Sequence, residues 1–326
     1  MSAPPLPSPS PDGLLSIGEL ARLAGVTVKT VRFYSDRGLL PEADRSSGGH
    51  RRYDPQALDR LQLIRSLRAL DLPVPEVGRV LDTAADPAEP DGPGALDSAL
   101  EDAVARQLTQ LGSQLTALRW REAALRLLHE CTPAQRAERL RLIGGITTPP
   151  STAVLARFWR LVLPARLPTG LTSSIVDAAV PQPPADPAPG QVLAFARLTQ
   201  LVSGVSNACL AARQPEPWHR PALLYDGLRE AYELALPDLT AGHTPAQGDG
   251  AAVDCFVAAH ARSLDQQDTP AFRRSLTTLL TRTADPVMTQ YWSLAADLTT
   301  PPTLGAAHTW LHAALDATLA KSGAGA

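Results

Sequence analysis

Cationic side chains cluster near the N-terminus at spacings that would let them contact an anionic polymer. Lys29 and Arg32 are three residues apart, and Arg45, Arg51 and Arg52 flank the turn-forming run SSGG. Arginine and lysine bind phosphate oxygens, and arginine also makes paired hydrogen bonds to a guanine edge. These residue types in this order indicate a surface that contacts nucleic acid.

The charge distribution agrees with a partner that is anionic and contacted locally. Residues 14–82 contain 11 Lys and Arg against 9 Asp and Glu, a balance of +2, whereas the whole chain has a net charge of −3. The positive charge is therefore confined to one module, as expected when that module touches phosphate and the others do not. Because the excess is small, it gains meaning only from the elements that position it.

Two short helices joined by a tight turn are predicted to carry the first pair of cations. Ser16 and Glu19 have the spacing of a capping box, which begins a helix, and Gly25 ends it. Thr27 caps the next helix and Gly38 stops it. A short helix, a three-residue turn and a second helix form a helix-turn-helix, whose second helix enters the major groove of DNA. The inward face of that helix is predicted to consist of Val28, Val31 and Phe33.

The run SSGG predicts a hairpin turn, and hence a small β-hairpin wing that carries the other three arginines. Asp54 and Pro55 then begin a third helix, with Asp as the cap and Pro at the first helical position. Its core stripe is predicted to be Leu58, Leu61, Ile64 and Leu67.

Residues 15–82 resemble the MerR family of transcription regulators. The resemblance is carried by SIGELARLAGVTVKTVRFYSDRGLL and by GGHRRYDPQALDRLQLIRSLRALDLPVPEVGRVL, in which helix, turn, helix, wing and two further helices follow the family's order. It implies that the second helix and the wing grip double-stranded DNA and that an antiparallel pair of long helices joins two subunits. It also implies that the dimer bends and untwists a promoter spacer, where RNA polymerase is the partner. His50, Asp71 and Pro73 depart from the family's pattern.

The resemblance and the side-chain chemistry together predict the residues that contact DNA. Residues on the first turns of the recognition helix can reach base edges or phosphates, and the wing can clamp the backbone. Arg51 in the wing is the strongest single prediction, whereas Tyr53 and Phe33 would suit the core equally well. The predicted set is Ser16, Thr27, Lys29, Thr30, Arg32, Tyr34, Arg45, Arg51, Arg52 and Tyr53.

Residues 96–130 carry one long helical pattern with apolar residues at steps of three and four, as in a heptad seam. Glu122 interrupts the seam and is predicted to set its register at some cost in stability. The stripe predicts a homodimer; the alternative is that it packs against the C-terminal domain of its own chain. The predicted dimerisation residues are Val104, Leu108, Leu111, Leu115, Leu118 and Leu125.

Residues 134–326 are numerous enough to form a domain of their own. Apolar residues recur there at helical spacing, and no strand is predicted outside the wing. The sequence contains no HExxH, no GxSxG and no phosphate-binding glycine loop, so we predict no enzyme activity and no cofactor. The predicted helices span 134–143, 151–163, 191–212, 220–235, 250–266, 270–284, 286–298 and 304–320.

This C-terminal domain is predicted to bind an effector, by analogy with MerR relatives whose helical domains bind drugs or antibiotics. His308 and His312 could chelate a metal from one helix, and Cys131 lies where MerR metal sensors place a thiolate, but each lacks further ligands and no metal site is predicted. A small organic effector is therefore predicted, with a protein partner as the alternative. Aromatic residues often line such pockets, although helix-spaced aromatics also fill cores. The candidates are Trp159, Tyr291, Trp292 and Trp310.

Composition bounds the remaining choices. Residues 1–13 are rich in Pro and Ser and are predicted to be a disordered tail, and residues 83–95 a linker. The three cysteines lie far apart and no apolar run is long enough for a membrane span, so a cytoplasmic location is predicted.

The predicted fold is mostly α: a winged helix-turn-helix in residues 14–82, a long dimerisation helix, and an all-helical C-terminal domain. The predicted function is control of transcription by a dimer on a pseudo-palindromic promoter site, in response to an effector. The alternative is an architectural or recombination-accessory DNA-binding protein, which the size of the C-terminal domain disfavours.

Overall fold

A computed structural model describes residues 13–83, 92–205, 219–248 and 250–324. The chain divides into two compact units, Met1–Ser113 and Gln114–Ala326. Within these described ranges the regular structure is helical apart from one three-stranded sheet, which confirms the predicted fold class. None of the helices in the described ranges combines the length and the apolar character that crossing a membrane requires. The predicted tail, apart from Gly13, and most of the predicted linker lie outside the described residues.

The first unit is built from short helices and a small sheet. Its elements are β1 (Leu15–Ser16), α1 (Ile17–Ala24), α2 (Val28–Asp36), β2 (Asp44–Arg45), β3 (Arg51–Tyr53), α3 (Ala57–Ala69), α4 (Val74–Thr83) and the beginning of α5 (Gly92–Glu130).

Helix α1 begins and ends where its punctuation predicts. The backbone N–H of Glu19 donates to Ser16 Oγ at 3.2 Å, and the Ser16 N–H donates to Glu19 Oε2 at 2.8 Å, so the capping box is complete. Gly25 has a φ of 64°, a left-handed conformation that a side chain would oppose. The Val26 N–H then donates to Ala21 O at 2.9 Å, which closes the helix. This closure fixes the direction in which the chain enters α2.

The wing forms as predicted, with one addition. Strands β2 and β3 are antiparallel, and Arg45 pairs with Arg51 at the end next to the turn, where Gly49 has a φ of 76°. The short strand β1 pairs with the other edge of β3, giving the order β1-β3-β2. Strand β1 was not predicted because its two residues immediately precede the first helix. It ties the base of the wing to the start of α1.

The core of the first unit corrects two predictions for α2. Val28 and Phe33 were predicted to pack inward, but 40% and 42% of their surfaces are exposed. Val31 is fully buried, as predicted, and Tyr34 is buried beside it. Because a helix advances 100° per residue, placing Tyr34 inside turns Phe33 outward. The third helix also begins at Ala57 and not at Pro55.

Helix α5 spans 39 residues and begins at Gly92, inside the segment predicted to be a linker. Near its start, Leu96, Leu100 and Ala103 belong to the apolar core of the first unit. Near its end, three other residues belong to a core of the second unit. These are Trp120, Ala123 and Leu127.

The described residues of the second unit fold into helices. In order they are α6 (Pro133–Gly144), α7 (Ala153–Val162), α8 (Thr169–Ala179), α9 (Pro189–Ser203), α10 (Pro221–Ala241), α11 (Gly250–Ser263), α12 (Pro270–Thr283), α13 (Pro286–Ala296) and α14 (Leu304–Ala324). Helix α8 was missed in the sequence, where its Ser and Thr residues lower helix propensity. The helix predicted at 191–212 ends at Ser203, and the one predicted at 220–235 continues through Pro237.

Two apolar cores hold the second unit together. One joins the end of α5 to α7, α8, α9 and α13, and the other joins α10, α11, α12 and α14. Helices α10 and α11 pack closely at Gly227, where an added Cβ would lie 2.7 Å from Ala259 Cβ. That distance is too short for any side chain, so glycine is required there.

Candidate nucleic-acid interface

The recognition helix α2 presents an ordered polar start. Thr27 caps it by accepting the Thr30 N–H at 3.1 Å, and the hydroxyls of the two threonines lie 2.9 Å apart. These bonds hold both side chains in place at the end of the helix that enters a groove in a helix-turn-helix. Both residues were predicted to contact DNA, and Thr27 is exposed while Thr30 is half-buried.

The outward side of α2 carries unpaired positive charge. Lys29 and Arg32 are exposed, and neither makes an ion pair with any of the described residues. The exposed ring of Phe33 lies 4.4 Å from the Arg37 guanidinium carbon, a cation–π contact that sequence reasoning missed. Free cations beside an apolar ring suit phosphate and base edges.

Arg51, the strongest prediction, is already engaged within the chain. Its guanidinium lies 2.6 Å from Asp36 Oδ1 and 2.9 Å from Glu42 Oε1, so it links β3 to the end of α2. The hydrogen bond with Asp36, aided by the nearby Glu42, raises the pKa of Arg51. Arg45 also pairs with Glu42, at 3.0 Å. Arg51 therefore positions the wing against α2, and a phosphate would have to compete with two carboxylates.

The remaining predicted residues are divided between surface and core. Tyr34 and Tyr53 are buried, with 8% and 0% of their surfaces exposed, so they support the interface from beneath. Ser16 caps α1, and Arg52 is half-buried on the middle strand of the sheet. The exposed members of the predicted set are Thr27, Lys29, Arg32 and Arg45.

Similarity to known proteins is concentrated in the N-terminal residues that form the helix-turn-helix and the wing. A family model described as MerR HTH family regulatory protein matches residues 15–84. Those residues are a MerR family helix-turn-helix domain. The family predicted from the sequence is therefore confirmed.

Individual relatives share only part of their length with this chain. The HTH-type transcriptional activator TipA of Streptomyces coelicolor is 52% identical over 73 residues, which are 22% of this chain and 29% of that protein. The nodulation protein NolA of a Bradyrhizobium species is 46% identical over 66 residues, or 20% and 28% of the two chains. A solved transcription regulator from Ralstonia metallidurans, in complex with lead(II), is 35% identical and covers 36% of this chain and 89% of its own, with a TM-score of 0.30. The chain thus spans less than a third of the curated relatives TipA and NolA.

Beyond the helices of the MerR domain, α5 leaves a stripe of leucines on its surface. Val104 is half-buried, and the five leucines are 47–68% exposed. They are Leu108, Leu111, Leu115, Leu118 and Leu125. A different side of α5, with Trp120 and Leu127, enters the core of the second unit. In the described residues, the five leucines therefore lie exposed on a side of α5 that differs from the side carrying Trp120 and Leu127.

The four aromatic candidates of the second unit do not meet at one place. Trp159, Tyr291 and Trp292 lie in one core with ring centroids 5.1–5.4 Å apart, and the Tyr291 hydroxyl donates to Ala179 O at 2.8 Å. Trp310 belongs to the other core, where its N–H donates to a backbone carbonyl. All but Trp292 are buried.

His308 and Cys131 each form a hydrogen bond within the chain. His308 and His312 share α14, and the Nδ1 of His308 lies 2.9 Å from the Tyr232 hydroxyl. The buried Cys131 thiol donates to Leu128 O at 3.2 Å. Among the residues that the structure describes, no group of three or more His, Cys, Asp or Glu is arranged to hold a metal ion. Cys209 lies outside those residues.

One buried histidine was not singled out in the sequence as a member of a cluster. His260 is 1% exposed and donates from Nδ1 to Phe256 O at 2.8 Å. Burial, with a smaller contribution from the charge of nearby His312, lowers the pKa of His260 to about 4, although the hydrogen bond to Phe256 O opposes the shift. Burial likewise lowers the pKa of His308 to about 4, with His260 and His312 adding to the effect.

Proposed function

We propose that this protein is a DNA-binding transcription regulator of the MerR type that acts as a two-fold dimer on a pseudo-palindromic promoter site. The observation that carries the proposal is the exposed cationic side of α2, held next to a wing on a MerR family domain. Lys29 and Arg32 supply unpaired charge, while the Arg51 bridge to Asp36 and Glu42 fixes the wing. We assign base and phosphate contacts to α2 and the positioning of the wing to Arg51.

The leucine stripe supports the dimer and favours one register. Four of its leucines, Leu108, Leu111, Leu115 and Leu118, are placed symmetrically about Ser113 in the chain, whereas Leu125 would lie opposite Glu101. In an antiparallel pair of α5 helices centred there, the layers match Leu111 with Leu115, Leu108 with Leu118, and Val104 with Glu122. The central layers would be entirely leucine, and Glu122 would meet a valine at the edge of the seam.

The charges along α5 favour the antiparallel orientation as well. Its start carries Asp97, Glu101 and Asp102, all exposed, against the single cation Arg106. Residues 107–118 carry no charge, and arginine outnumbers glutamate in residues 119–130. A parallel pair would set acidic starts against each other and Glu122 against Glu122. An antiparallel pair sets the acidic start of one helix beside the basic end of the other, which lowers the electrostatic energy.

We assign effector binding to the second unit. RNA polymerase at the promoter is the proposed partner whose activity changes when the effector binds. The relative TipA, which is similar over the N-terminal module, is named a transcriptional activator. For this chain we propose a small organic effector at the Trp159–Tyr291–Trp292 cluster. Trp292 is half-buried and lies directly over Gly305. Displacing Trp292 would open the cluster to a ligand.

The test of DNA binding is a gel-shift titration of Arg32→Ala and Arg51→Ala on one promoter fragment at fixed salt. Arg32→Ala should weaken binding by about 1–3 kcal/mol if the residue makes paired bonds to a base. Arg51→Ala should weaken binding less, because its guanidinium is shared with two carboxylates. Arg197→Ala, on the exposed side of α9, is the matched control and should bind like the wild type. Unchanged affinity in both test variants would refute the assignment.

A further inference from the structure

Helix α7 turns a basic face outward. Its buried side holds Leu155, Phe158 and Trp159, whereas Arg157 and Arg160 are exposed and make no ion pair with any described residue. Apolar residues flank the two arginines on the same side, since Val154 is 40% and Leu161 is 45% exposed. We call Val154, Arg157, Arg160 and Leu161 the basic face.

The sequence around α7 leaves that charge uncompensated. Residues 139–176 contain five arginines and not one Asp or Glu, whereas the rest of the second unit is acidic in balance. Exposed arginines with no acidic neighbour keep their full attraction for an outside anion. Apolar side chains at both ends of the face add surface that a phosphate backbone would not cover, so the face suits an acidic protein surface better than nucleic acid.

Helix α10 has an outward face of the opposite charge and the same layout. Leu223 and Leu234 are 45% and 44% exposed, and Asp226, Glu230 and Glu233 are exposed between them. We call these five residues the acidic face. Arg229 lies at its edge and pairs with Asp226 at 3.3 Å and Glu233 at 3.0 Å, which leaves the face with a net negative charge.

The two faces match each other in pattern. Each runs apolar, charged, apolar along one helix, over roughly 10 Å on α7 and roughly 17 Å on α10 at 1.5 Å per residue. Both are exposed in the same chain, so they do not cover each other within one molecule. Charge complementarity between two different faces of one protein is satisfied when a second copy brings its acidic face to the first copy's basic face.

We propose that the basic face of α7 docks on the acidic face of α10 in a second copy of this protein. The contact joins two unlike faces, so it is separate from a two-fold seam and can link dimers to one another. A contact of one helix against one helix is small for a protein interface, so the association is weak, reversible and sensitive to salt. Linked dimers would bind neighbouring DNA sites cooperatively.

The test is sedimentation velocity of the full chain at concentrations of roughly 10 to 100 µM in low salt, about 50 mM, and in high salt, about 500 mM. We expect the mean mass of the wild type to rise with concentration in low salt and to lose that rise in high salt. The variant Arg157→Glu with Arg160→Glu, and the variant Glu230→Arg with Glu233→Arg, should each lose the rise. An equimolar mixture of the two should regain it, because each reversed face then finds a reversed partner.

The mixture separates the proposal from misfolding and from the α5 seam, since neither predicts that two defective variants rescue each other. The control is Arg274→Glu with Arg282→Glu on α12, which makes the same charge change on exposed residues elsewhere and should associate like the wild type. The proposal is overturned if the wild type shows no rise, if the mixture shows none, or if the control loses it. It is also overturned if the α7 variant weakens DNA binding while self-association is unchanged, because the face would then serve nucleic acid.

Discussion

The candidate cationic residues of the MerR domain are largely exposed at the surface, whereas the candidate aromatic residues of the second unit are largely buried in the core. In the MerR domain the conspicuous residues were cations, and Lys29 and Arg32 lie exposed on a helix whose caps and turns hold it rigidly. In the second unit they were aromatics, and Trp159 and Tyr291 lie in the core. An ordered series of helix caps, turns and regularly spaced apolar residues predicts which side chains are exposed. Residue type alone predicts only that large aromatic side chains are buried. The order and spacing of residues therefore indicate a functional surface more safely than the presence of a rare residue type does.

Helix α5 repeats this contrast within a single element. Its leucines, which by residue type belong in a core, are exposed in the single chain, and its tryptophan is 2% exposed. Exposed leucines at heptad spacing carry information because solvation of so much apolar surface is costly.

The largest effect is expected at the seam. Leu111→Glu with Leu115→Glu would put four carboxylates in the central layers of the proposed dimer, so sedimentation should give monomers and DNA affinity should fall roughly 100-fold or more as one half-site is lost. The folded chain should keep its helical circular dichroism, because both leucines are exposed. Leu70→Glu with Leu140→Glu, at comparably exposed leucines off the seam, is the control and should stay dimeric. A dimer that survives the double variant would contradict the seam.

Replacing Trp159 is expected to have the next largest effect. Trp159→Ala should lower the free energy of unfolding by about 3–5 kcal/mol in urea titrations, because it removes a buried ring from a packed aromatic cluster. Trp292→Ala should cost less, since that side chain is only half-buried. A change in the free energy of unfolding of less than about 0.5 kcal/mol for Trp159→Ala would mean that Trp159 is not part of the core. The contrast between exposed cations in the MerR domain and buried aromatic residues in the second unit would then be wrong.

Acid should destabilise the second unit through its buried histidines. The folded pKa of His260, about 4, lies below its ordinary value of 6.5, so between these values the unfolded state binds more protons. The stability that His260 contributes is therefore complete above pH about 6.5 and is lost as the pH falls towards 4, on the order of 3 kcal/mol.

Thermal melts between pH 7 and 4.5 measure this loss. His260→Gln with His308→Gln should flatten the fall of melting temperature with acid, although it lowers stability at pH 7. His219→Gln, at an exposed histidine of the same unit, should leave the pH dependence unchanged. An identical acid profile for the double variant and the wild type would show that these histidines do not govern it.

The smallest effect is expected at helix caps, and it should be equal in the two units. Ser16→Ala removes the cap of α1, and Thr269→Ala removes the hydroxyl that accepts the Phe272 N–H at 3.1 Å at the start of α12. Each should cost about 1 kcal/mol in chemical denaturation. A much larger cost at Ser16 alone would mean that the capping box also holds β1 against the wing.

Much of the MerR domain could be predicted because its signals are local. The capping box at Ser16, the left-handed Gly25 and the SSGG turn depend on neighbours within a few residues, and each was found where expected. What escaped prediction depends on tertiary contact. Which of Phe33 and Tyr34 is buried depends on the helices that pack against α2. The ion pair of Arg51 with Glu42 joins residues nine positions apart in the chain. In the second unit, Pro237 continues a helix because packing overrides a local stop signal.

We propose that a MerR domain and an exposed leucine seam together make a two-fold DNA-binding protein. Selection of bound sequences from a random pool of double-stranded DNA by the full chain tests it most directly. We predict that the enriched sequences are inverted repeats with a fixed separation of half-sites, since the symmetry of the protein is mirrored in its site. Enrichment of a single asymmetric half-site, or no enrichment over the starting pool, would contradict the account.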